Sequence, residues 1–318
     1  MNSRGLTCKI IFLLAAFWLF YLGADAATYY SRQSGNWNSR FTWSTVSHGG
    51  GAAASFPVAG DIIYIAGHEV TVTSNAFCSA IWFSGTYTSG VLTINSGVTL
   101  TVSGAVTVIS ATNSNTSFML SGDGGITCGS VTSGTNINPG NTRTTILNVR
   151  LADLSISGNL TMYSNRSGGS LNDASVVIES GYVTVAGSVV TSNESGSNNS
   201  SLILGNSSPV LSIAGATPFA ISWTGTSTTS LNGTGATVNY SRGGAQDVFS
   251  TPYTNLTLSG SGTKTFPAGI SLSGMLSMEG TATVSGSAPS YGTASAIRYK
   301  GSAAQTTGIE LIPVFSGD

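Results

Sequence analysis

Charged side chains are almost missing from this 318-residue chain. Only 7% of its residues are charged, with 11 Lys and Arg against 12 Asp and Glu and a net charge of −1. Ordinary globular domains hold about 25%. No basic patch is present to neutralise a row of phosphates, which argues against nucleic-acid binding. Disorder is also disfavoured, because 41% of the residues are hydrophobic and disordered chains combine high charge with few apolar residues.

Long apolar runs are missing after the first 26 residues. The one long apolar run, "IIFLLAAFWLFYLGA", lies within those 26 residues. It follows Arg4 and Lys9 and leads into the small-residue sequence "ADA" at 24–26. This order predicts a signal peptide over 1–26 and a mature chain from Ala27 that is secreted or held at the outer cell surface. A retained membrane anchor is the alternative. No later segment is apolar enough to span, so we expect no membrane span after cleavage.

Cysteine and histidine are scarce as well. Cys78 and Cys128 remain after signal removal, and either a disulfide or two buried thiols fits their spacing. Neither C-x-x-C nor H-E-x-x-H occurs. His48 in "SHGGG" and His68 in "GHEV" are expected in turns or on the surface, because His68 and Glu69 would point to opposite faces of a strand. The sequence predicts no metal site and no cofactor.

Glycine and alternating apolar residues are abundant instead. The chain has 41 glycines, and "VLTINSGVTLTVSGAVTVIS" at 91–110 repeats a strand of about five residues and a Ser-Gly turn. Its Leu, Ile and Val residues keep one parity, which is typical of strands with one buried face. Helical spacing is absent. The composition therefore predicts an all-β fold.

Strands this short favour a β-solenoid over a sandwich. Three seven-residue units would make a rung of about twenty residues. The aromatic-rich segment that begins the mature chain is expected to cover the first rung as a cap. We divide the chain into the signal peptide 1–26, the cap and first rungs 27–90, further rungs 91–235, and repeat units 236–318.

A longer repeat lies near the C-terminus. "VNYSRGGAQ" from Val238 and "IRYKGSAAQ" from Ile297 are 59 residues apart, so that Tyr240 and Gln246 correspond to Tyr299 and Gln305. A Tyr-to-Gln unit flanked by strands on both occasions supports a repetitive architecture.

The segment "VNYSRGGAQDVFSTPYTNLTLSGSGTKTFPAGISLSG" resembles the recurring unit of large secreted, repetitive cell-surface proteins of Bacteroidota. The opening "SGNWNSRFTWS" through "GDIIYIAGHEVTVT" is similar to the start of such proteins and, more loosely, to the G8-type β-helical domain. The resemblance implies an exported, right-handed parallel β-helix with an adhesive or structural role. Extracellular glycans or surface proteins are the expected partners. No catalytic motif comes with it, and the sorting domain usual in that family is not seen.

One enzymatic alternative depends on two carboxylates. "LADLSI" and "LNDASV" place Asp153 and Asp173 twenty residues apart, so a twenty-residue rung would stack them about 5 Å apart. Polysaccharide lyases or glycosidases on β-helices use stacked acids, and Arg150 and Arg166 are near in sequence. The competing interpretation is that each Asp accepts backbone N–H bonds at a turn.

A second alternative is an ice- or carbohydrate-binding face of stacked threonines. T-x-T pairs occur at Thr71/Thr73, Thr86/Thr88, Thr99/Thr101 and Thr281/Thr283. Their register drifts along the chain, whereas a flat binding face needs one register over many rungs. Tyr163 and Tyr182 are candidates either for ligand contact or for packing.

The C-terminal "GIELIPVFSGD" shows no polar cap. We expect the last rung to be uncovered, with Ile312, Val314 and Phe315 near an open end. Exposed strand edges pair with other chains, so the expectation includes a fragment of a longer repetitive protein, or self-association through this end.

Overall fold

The computed structural model of the protein describes residues 26–83, 87–109, 115–134, 143–167, 170–193, 199–222, 228–301 and 303–311. The signal-peptide prediction over 1–26 lies almost wholly outside them. Within these residues the regular elements are β-strands and one 3₁₀ turn at Arg40–Thr42. The strands are β1 (Thr28–Ser31), β2 (Gly35–Asn36), β3 (Trp43–Ser44), β4 (Ile62–Ile65), β5 (Glu69–Val72), β6 (Ala76–Cys78), β7 (Ala80–Phe83), β8 (Ser89–Ile94), β9 (Thr99–Val108), β10 (Thr116–Gly134), β11 (Arg143–Ile156), β12 (Leu160–Ser167), β13 (Ser170–Ile178), β14 (Tyr182–Val185), β15 (Val189–Asn193), β16 (Ser200–Leu204), β17 (Val210–Ile213), β18 (Phe219–Ser222), β19 (Thr228–Ser230), β20 (Thr237–Tyr240), β21 (Gln246–Asp247), β22 (Pro252–Tyr253), β23 (Asn255–Leu258), β24 (Ser261–Phe266), β25 (Ser271–Leu272), β26 (Met275–Gly286), β27 (Ser290–Tyr291) and β28 (Ala296–Gly301).

Most strands pair in parallel with the strand one rung later, which confirms the all-β prediction and gives the pairing of a β-solenoid. Three recurring sets of strand segments, called faces A, B and C, follow one another along the chain. Face A consists of segments 76–78, 99–102, 125–128, 153–156, 182–185, 210–213, 237–240, 255–258, 275–278 and 296–299. Face B begins with 28–30, 62–65 and 80–83, and face C with 35–36, 69–72 and 89–94.

The apolar residues face inward with the predicted parity. In the stretch 91–110, the buried apolar side chains are Leu92, Ile94, Leu100, Val102, Val106 and Val108. They belong to faces C, A and B in turn, so three strand units build one rung. Stacking these positions over successive rungs forms one continuous core along the molecule.

Rung length differs from the prediction over much of the chain. The side chain of Asn255 bonds to the next rung 20 residues on, as expected, but the equivalent bond of Asn159 spans 29 residues. The additional residues lie between faces B and C: β9 ends at Val108, and β10 begins at Thr116. A connection at a corner can lengthen without changing strand register, so the hydrophobic pattern does not reveal it.

The 59-residue sequence repeat corresponds to three rungs. Val238 pairs with Leu256, Leu256 with Leu276, and Leu276 with Ile297. The two glutamines also make the same contact. The Oε1 atom of Gln246 accepts the N–H of Arg242, and that of Gln305 accepts the N–H of Gly301.

The first glutamine belongs to a polar cluster inside the solenoid. The ammonium group of buried Lys264 donates to the carbonyl oxygens of Arg242 (2.7 Å) and Gly244 (3.2 Å) and to Gln246 Oε1 (3.3 Å). Burial, together with the charge of Arg242, lowers the pKa of Lys264 to about 8. Three acceptors match the three ammonium donors, which is how a lysine can be buried without a carboxylate.

Asparagine and aspartate side chains connect successive rungs. In each case a side-chain oxygen accepts a backbone N–H of the following rung at 2.8–2.9 Å. The six acceptors are Asn75, Asn115, Asn159, Asp173, Asn206 and Asn255. Each such bond satisfies a corner amide that strand pairing leaves free.

Glycines form a column at the corner between faces A and B. A β-carbon on any of them would lie 2.3–2.8 Å from a carbonyl oxygen of the preceding rung. The column contains Gly104, Gly129, Gly158, Gly187, Gly215, Gly260 and Gly280. At this corner the backbones of successive rungs approach too closely for a side chain.

The aromatic-rich segment folds against the first rung. Strand β1 pairs with β3 antiparallel and with β4 parallel. Trp37 and Trp43 are buried edge to face, with ring centroids 5.2 Å apart, and Trp43 Nε1 donates to the carbonyl of Trp37. This buried indole pair extends the hydrophobic core beyond the regular strands.

The last rung is covered only in part. Strand β28 is exposed except for half-buried Ile297, in line with the expected uncovered rung. Ile309 packs against the core, and buried Glu310 accepts hydrogen bonds from Tyr291 on its backbone and from Tyr299 on its side chain. The segment 308–311 therefore contributes one buried polar residue at this end that the sequence did not indicate. Ile312, Val314 and Phe315 lie outside the described residues.

Cys78 and Cys128 are free, buried thiols. Both face inward in one column, with Val102 between them. Two rung spacings separate their backbones by about 10 Å, and a disulfide needs Cα atoms within about 7 Å. The geometry therefore decides between the two alternatives that the sequence left open. Burial raises the pKa of each thiol to about 12.

We expect Gly158→Ala to destabilise the protein by about 1–3 kcal/mol, the usual cost of overpacking, because its β-carbon would lie 2.7 Å from the carbonyl oxygen of Gly129. Gly51→Ala is the matched control, since nothing lies within 4 Å of its β-carbon. Thermal unfolding followed by circular dichroism measures both. Equal midpoints for the two variants would show that the corner tolerates side chains.

Candidate functional site

Asp153 and Asp173 do not stack. Asp153 lies on face A, where it pairs with Gly125 and Tyr182, and Asp173 lies on face C, where it pairs with Thr144. The predicted carboxylate pair is therefore wrong in its geometry. The prediction assumed a rung of about twenty residues, whereas the equivalent rung-to-rung bond in this region spans 29 residues.

The two aspartates also have different surroundings. Asp173 accepts the N–H of Asn199 at 2.9 Å, so it is one of the side chains that connect rungs. Asp153 is exposed and makes no hydrogen bond or ion pair with any residue that the structure describes. The nearby cation Arg150 is paired with Glu179 of the next rung, and the side chain of Arg166 lies outside the description.

A column of short polar side chains follows the outer surface of face A. One residue from each of eight successive strands contributes to it, and all carry a hydroxyl or an amide. The column contains Thr101, Thr127, Ser155, Thr184, Ser212, Asn239, Thr257 and Ser277. Rungs about 4.8 Å apart make this a straight polar strip of about 34 Å.

The two halves of this polar strip differ in hydrogen bonding. In the upper half, the side chains of Ser212, Asn239 and Ser277 bond to neighbouring side chains of the protein. In the lower half, Thr101, Thr127, Ser155 and Thr184 make no side-chain hydrogen bond with any described residue. Thr257 of the upper half also makes no such bond with a described residue, but it stands alone between the bonded Asn239 and Ser277. The lower half is therefore the continuous run of hydroxyls available to an external ligand.

Two exposed aromatic residues mark the ends of the lower half. Phe77, 52% exposed, lies directly below Thr101 in the column. Tyr182, 40% exposed, lies two residues from Thr184 on the same strand, and its partner one rung below is Asp153. Between them is a shallow depression of about 260 Å³, lined by Thr127, Gly129, Ser155 and Ser157 among others.

The threonine pairs predicted from the sequence do not share one face. Thr99 and Thr101 lie on face A, Thr71 stacks on Thr93 of face C, and Thr281 and Thr283 pair with the 261–266 strand. Thr86 lies outside the described residues. Sequence reasoning missed the actual column because serine and asparagine interrupt its threonines, and only the register reveals that they align.

Three aromatic residues on the outer surface of face B stack on one another. Tyr30, Tyr64 and Trp82 stack on successive rungs of face B with centroids 5.0 and 6.1 Å apart. Their ring faces cover one another, so mainly ring edges remain for a ligand. Tyr163 also lies on face B, half-buried and in contact with other residues.

The two histidines of the chain meet near the N-terminal end. His48 Nδ1 lies 2.7 Å from the carbonyl oxygen of buried Ser31, and His68 Nδ1 lies 3.2 Å from its hydroxyl. The ring centroids are 6.5 Å apart, and Tyr87 contacts both rings. No spacing or motif in the sequence indicates that the two histidines lie close together.

Ser31 lies between the two histidines. Both Nδ1 atoms are within hydrogen-bonding distance of it. Among the residues that the structure describes, no three His, Cys, Asp or Glu side chains lie close enough to hold a metal ion. The Ser31 hydroxyl also bonds to the backbone of Ala66, so the cluster joins the N-terminal segment to the first rungs.

Asp173→Ala should destabilise the protein by about 1 kcal/mol, the typical net value of one hydrogen bond. Asp153→Ala is the control, because an unpaired exposed carboxylate contributes little, and its change should stay within about 0.5 kcal/mol. Chemical denaturation gives both midpoints. A larger loss from Asp153→Ala would mean that Asp153 has a structural role.

Acid should weaken the N-terminal segment. Burial lowers the pKa of His48, the hydrogen bond to Ser31 opposes this, and the nearby His68 lowers it further. The unfolded chain therefore binds the proton more readily, and the stabilisation present above the unfolded pKa of about 6.5 is lost as the pH falls. We expect the thermal midpoint to fall between about pH 7 and about pH 5. The fall should be smaller in His48→Asn, and an equal fall in the variant would assign the pH dependence to other groups.

In the part of the chain that the structure describes, no helix has the length and hydrophobicity of a membrane span. Comparison with protein-family models, with curated proteins and with solved structures finds no match to this chain.

Proposed function

We propose that this protein is an exported, non-enzymatic surface module that adheres to its target through face A. The observation that carries the proposal is the polar strip, whose lower four hydroxyls have no partner among the described residues and lie between two exposed aromatic side chains. Surface sites that bind ligands without transforming them combine such hydrogen-bonding groups with aromatic contact area.

The proposed molecule is a capped, right-handed solenoid that is exported. The solenoid is right-handed, because crossover connections between parallel strands are right-handed in nearly all proteins. The tryptophan-containing segment acts as the N-terminal cap, since the first rung of a stack needs a cover. Export is supported by the charge, apolar run and small-residue site of residues 1–26.

The adhesive function is preferred to the lyase or glycosidase alternative for a geometric reason. Hydrolysis of a glycosidic bond needs two carboxyl groups on either side of that bond, and the lyase hypothesis also depended on Asp153 and Asp173 being stacked in one site. Asp153 and Asp173 lie on different faces of the solenoid, and Asp173 is already bonded to the backbone.

Adhesion can be measured with the mature chain, residues 27–318, coupled to beads and applied to surfaces coated with glycans or extracellular proteins. Thr127→Lys should abolish retention, because a long charged side chain would project from the centre of the lower strip. Thr132→Lys is the matched control on face B, where Thr132 is stacked between Thr107 and Thr161.

Two results would count against the proposal. Equal retention of both variants would show that face A is not the adhesive surface. Release of products from a glycan, abolished by Asp153→Asn or Asp173→Asn, would show that the protein is an enzyme.

A further inference from the structure

We propose that the ligand of face A is a neutral, extended polysaccharide that lies parallel to the solenoid axis between Phe77 and Tyr182. This inference rests on the proposed function and specifies its ligand. Four features support it: the alignment of the column with the solenoid axis, the exposed and unstacked aromatic rings, the hydroxyls that make no hydrogen bond with a described residue, and the single negative charge.

The site runs along the solenoid axis because its residues stack on successive rungs of face A. Phe77 and Tyr182 belong to strands four rungs apart on face A, with Thr101, Thr127 and Ser155 on the rungs between or beside them. At about 4.8 Å for each rung, the two rings are about 19 Å apart along the axis. A rung spacing is close to the length of one pyranose unit in an extended chain, so successive sugars can meet equivalent hydroxyls.

The aromatic rings at the two ends are free for stacking. Neither Phe77 nor Tyr182 contacts another aromatic ring among the described residues, in contrast to the stacked Tyr30, Tyr64 and Trp82. An exposed ring face attracts the axial C–H groups of a sugar whose hydroxyls are equatorial. The pair of rings therefore favours β-linked, gluco-configured units at both ends of the site.

The hydroxyls between the rings suit sugar hydroxyls. Each threonine or serine hydroxyl can both donate and accept a hydrogen bond, and a sugar hydroxyl has the same capacity. The depression at Thr127 and Ser155 provides a recess of about 260 Å³ at the middle of the site. Hydroxyls already bonded within the protein begin at Ser212, one rung above Tyr182.

The charge of the site selects against acidic polysaccharides. Between Phe77 and Tyr182, the outward positions of face A are Thr101, Thr127, Ser155 and Thr184 in the column and Thr99, Gly125 and Asp153 beside it. The single charge is the unpaired carboxylate of Asp153. It can accept two hydroxyl hydrogens of a neutral sugar, whereas it would repel a uronate or sulfate group.

The test is calorimetric titration of the mature chain with cellohexaose and chitohexaose as neutral probes and with a hexamer of galacturonate as the acidic probe. We expect binding of a neutral hexamer, weakened about tenfold or more by Phe77→Ala and by Tyr182→Ala. Phe41→Ala is the control, because Phe41 is equally exposed but lies in the N-terminal segment. Circular dichroism verifies that each variant is folded.

A charge variant completes the experiment. Asp153→Asn should improve the affinity for the galacturonate hexamer and so reduce the difference in affinity between the neutral and acidic probes. Tighter binding of galacturonate by the unaltered protein, or neutral binding that is unaffected by both aromatic substitutions, would overturn the inference and leave adhesion through face A standing. Adhesion of the unaltered protein to protein-coated surfaces without binding to any glycan would also overturn the polysaccharide inference and leave the adhesive function standing. If the unaltered protein adhered to no surface at all, the proposed function itself would be wrong.

Discussion

The distance between successive rungs governs which side chains this protein can carry. Parallel strands lie about 4.8 Å apart, and at the corner between faces A and B the backbone of one rung meets a carbonyl of the rung before it. A β-carbon at these positions would lie 2.3–2.8 Å from that carbonyl oxygen, which is why glycine occupies seven positions of this column. Part of the glycine-rich composition follows from this close approach.

The same spacing explains why charges are scarce. Equivalent outward positions on neighbouring rungs are direct neighbours, so a column of like charges would be destabilised by repulsion at every rung. The two ion pairs among the described residues obey this rule. Arg150 pairs with Glu179, and Lys300 with Glu279, each across one rung boundary. Hydroxyl and amide side chains avoid the problem and provide solubility without charge.

The sequence predicted features that depend on strand alternation, and it did not predict those that depend on corner length. The inward parity of Leu92 through Val108 follows directly from alternation, and the Val238–Ile297 offset is a whole number of rungs. The placement of Asp153 and Asp173 failed because connections between faces B and C add residues without any periodic signal. The meeting of His48 and His68 depends on the irregular N-terminal segment, which no periodicity describes.

The 59-residue repeat spans three whole rungs, and this affects which insertions and deletions the protein can tolerate. Duplication or deletion of that length changes the molecule by about 14 Å along its axis, yet every remaining side chain keeps its inward or outward orientation and its column. A gain or loss of one residue within a strand would instead turn the following side chains from core to solvent. Genetic change in whole rungs therefore leaves the packing of the remaining rungs unchanged, and the length of such a protein can vary while its outward columns stay aligned.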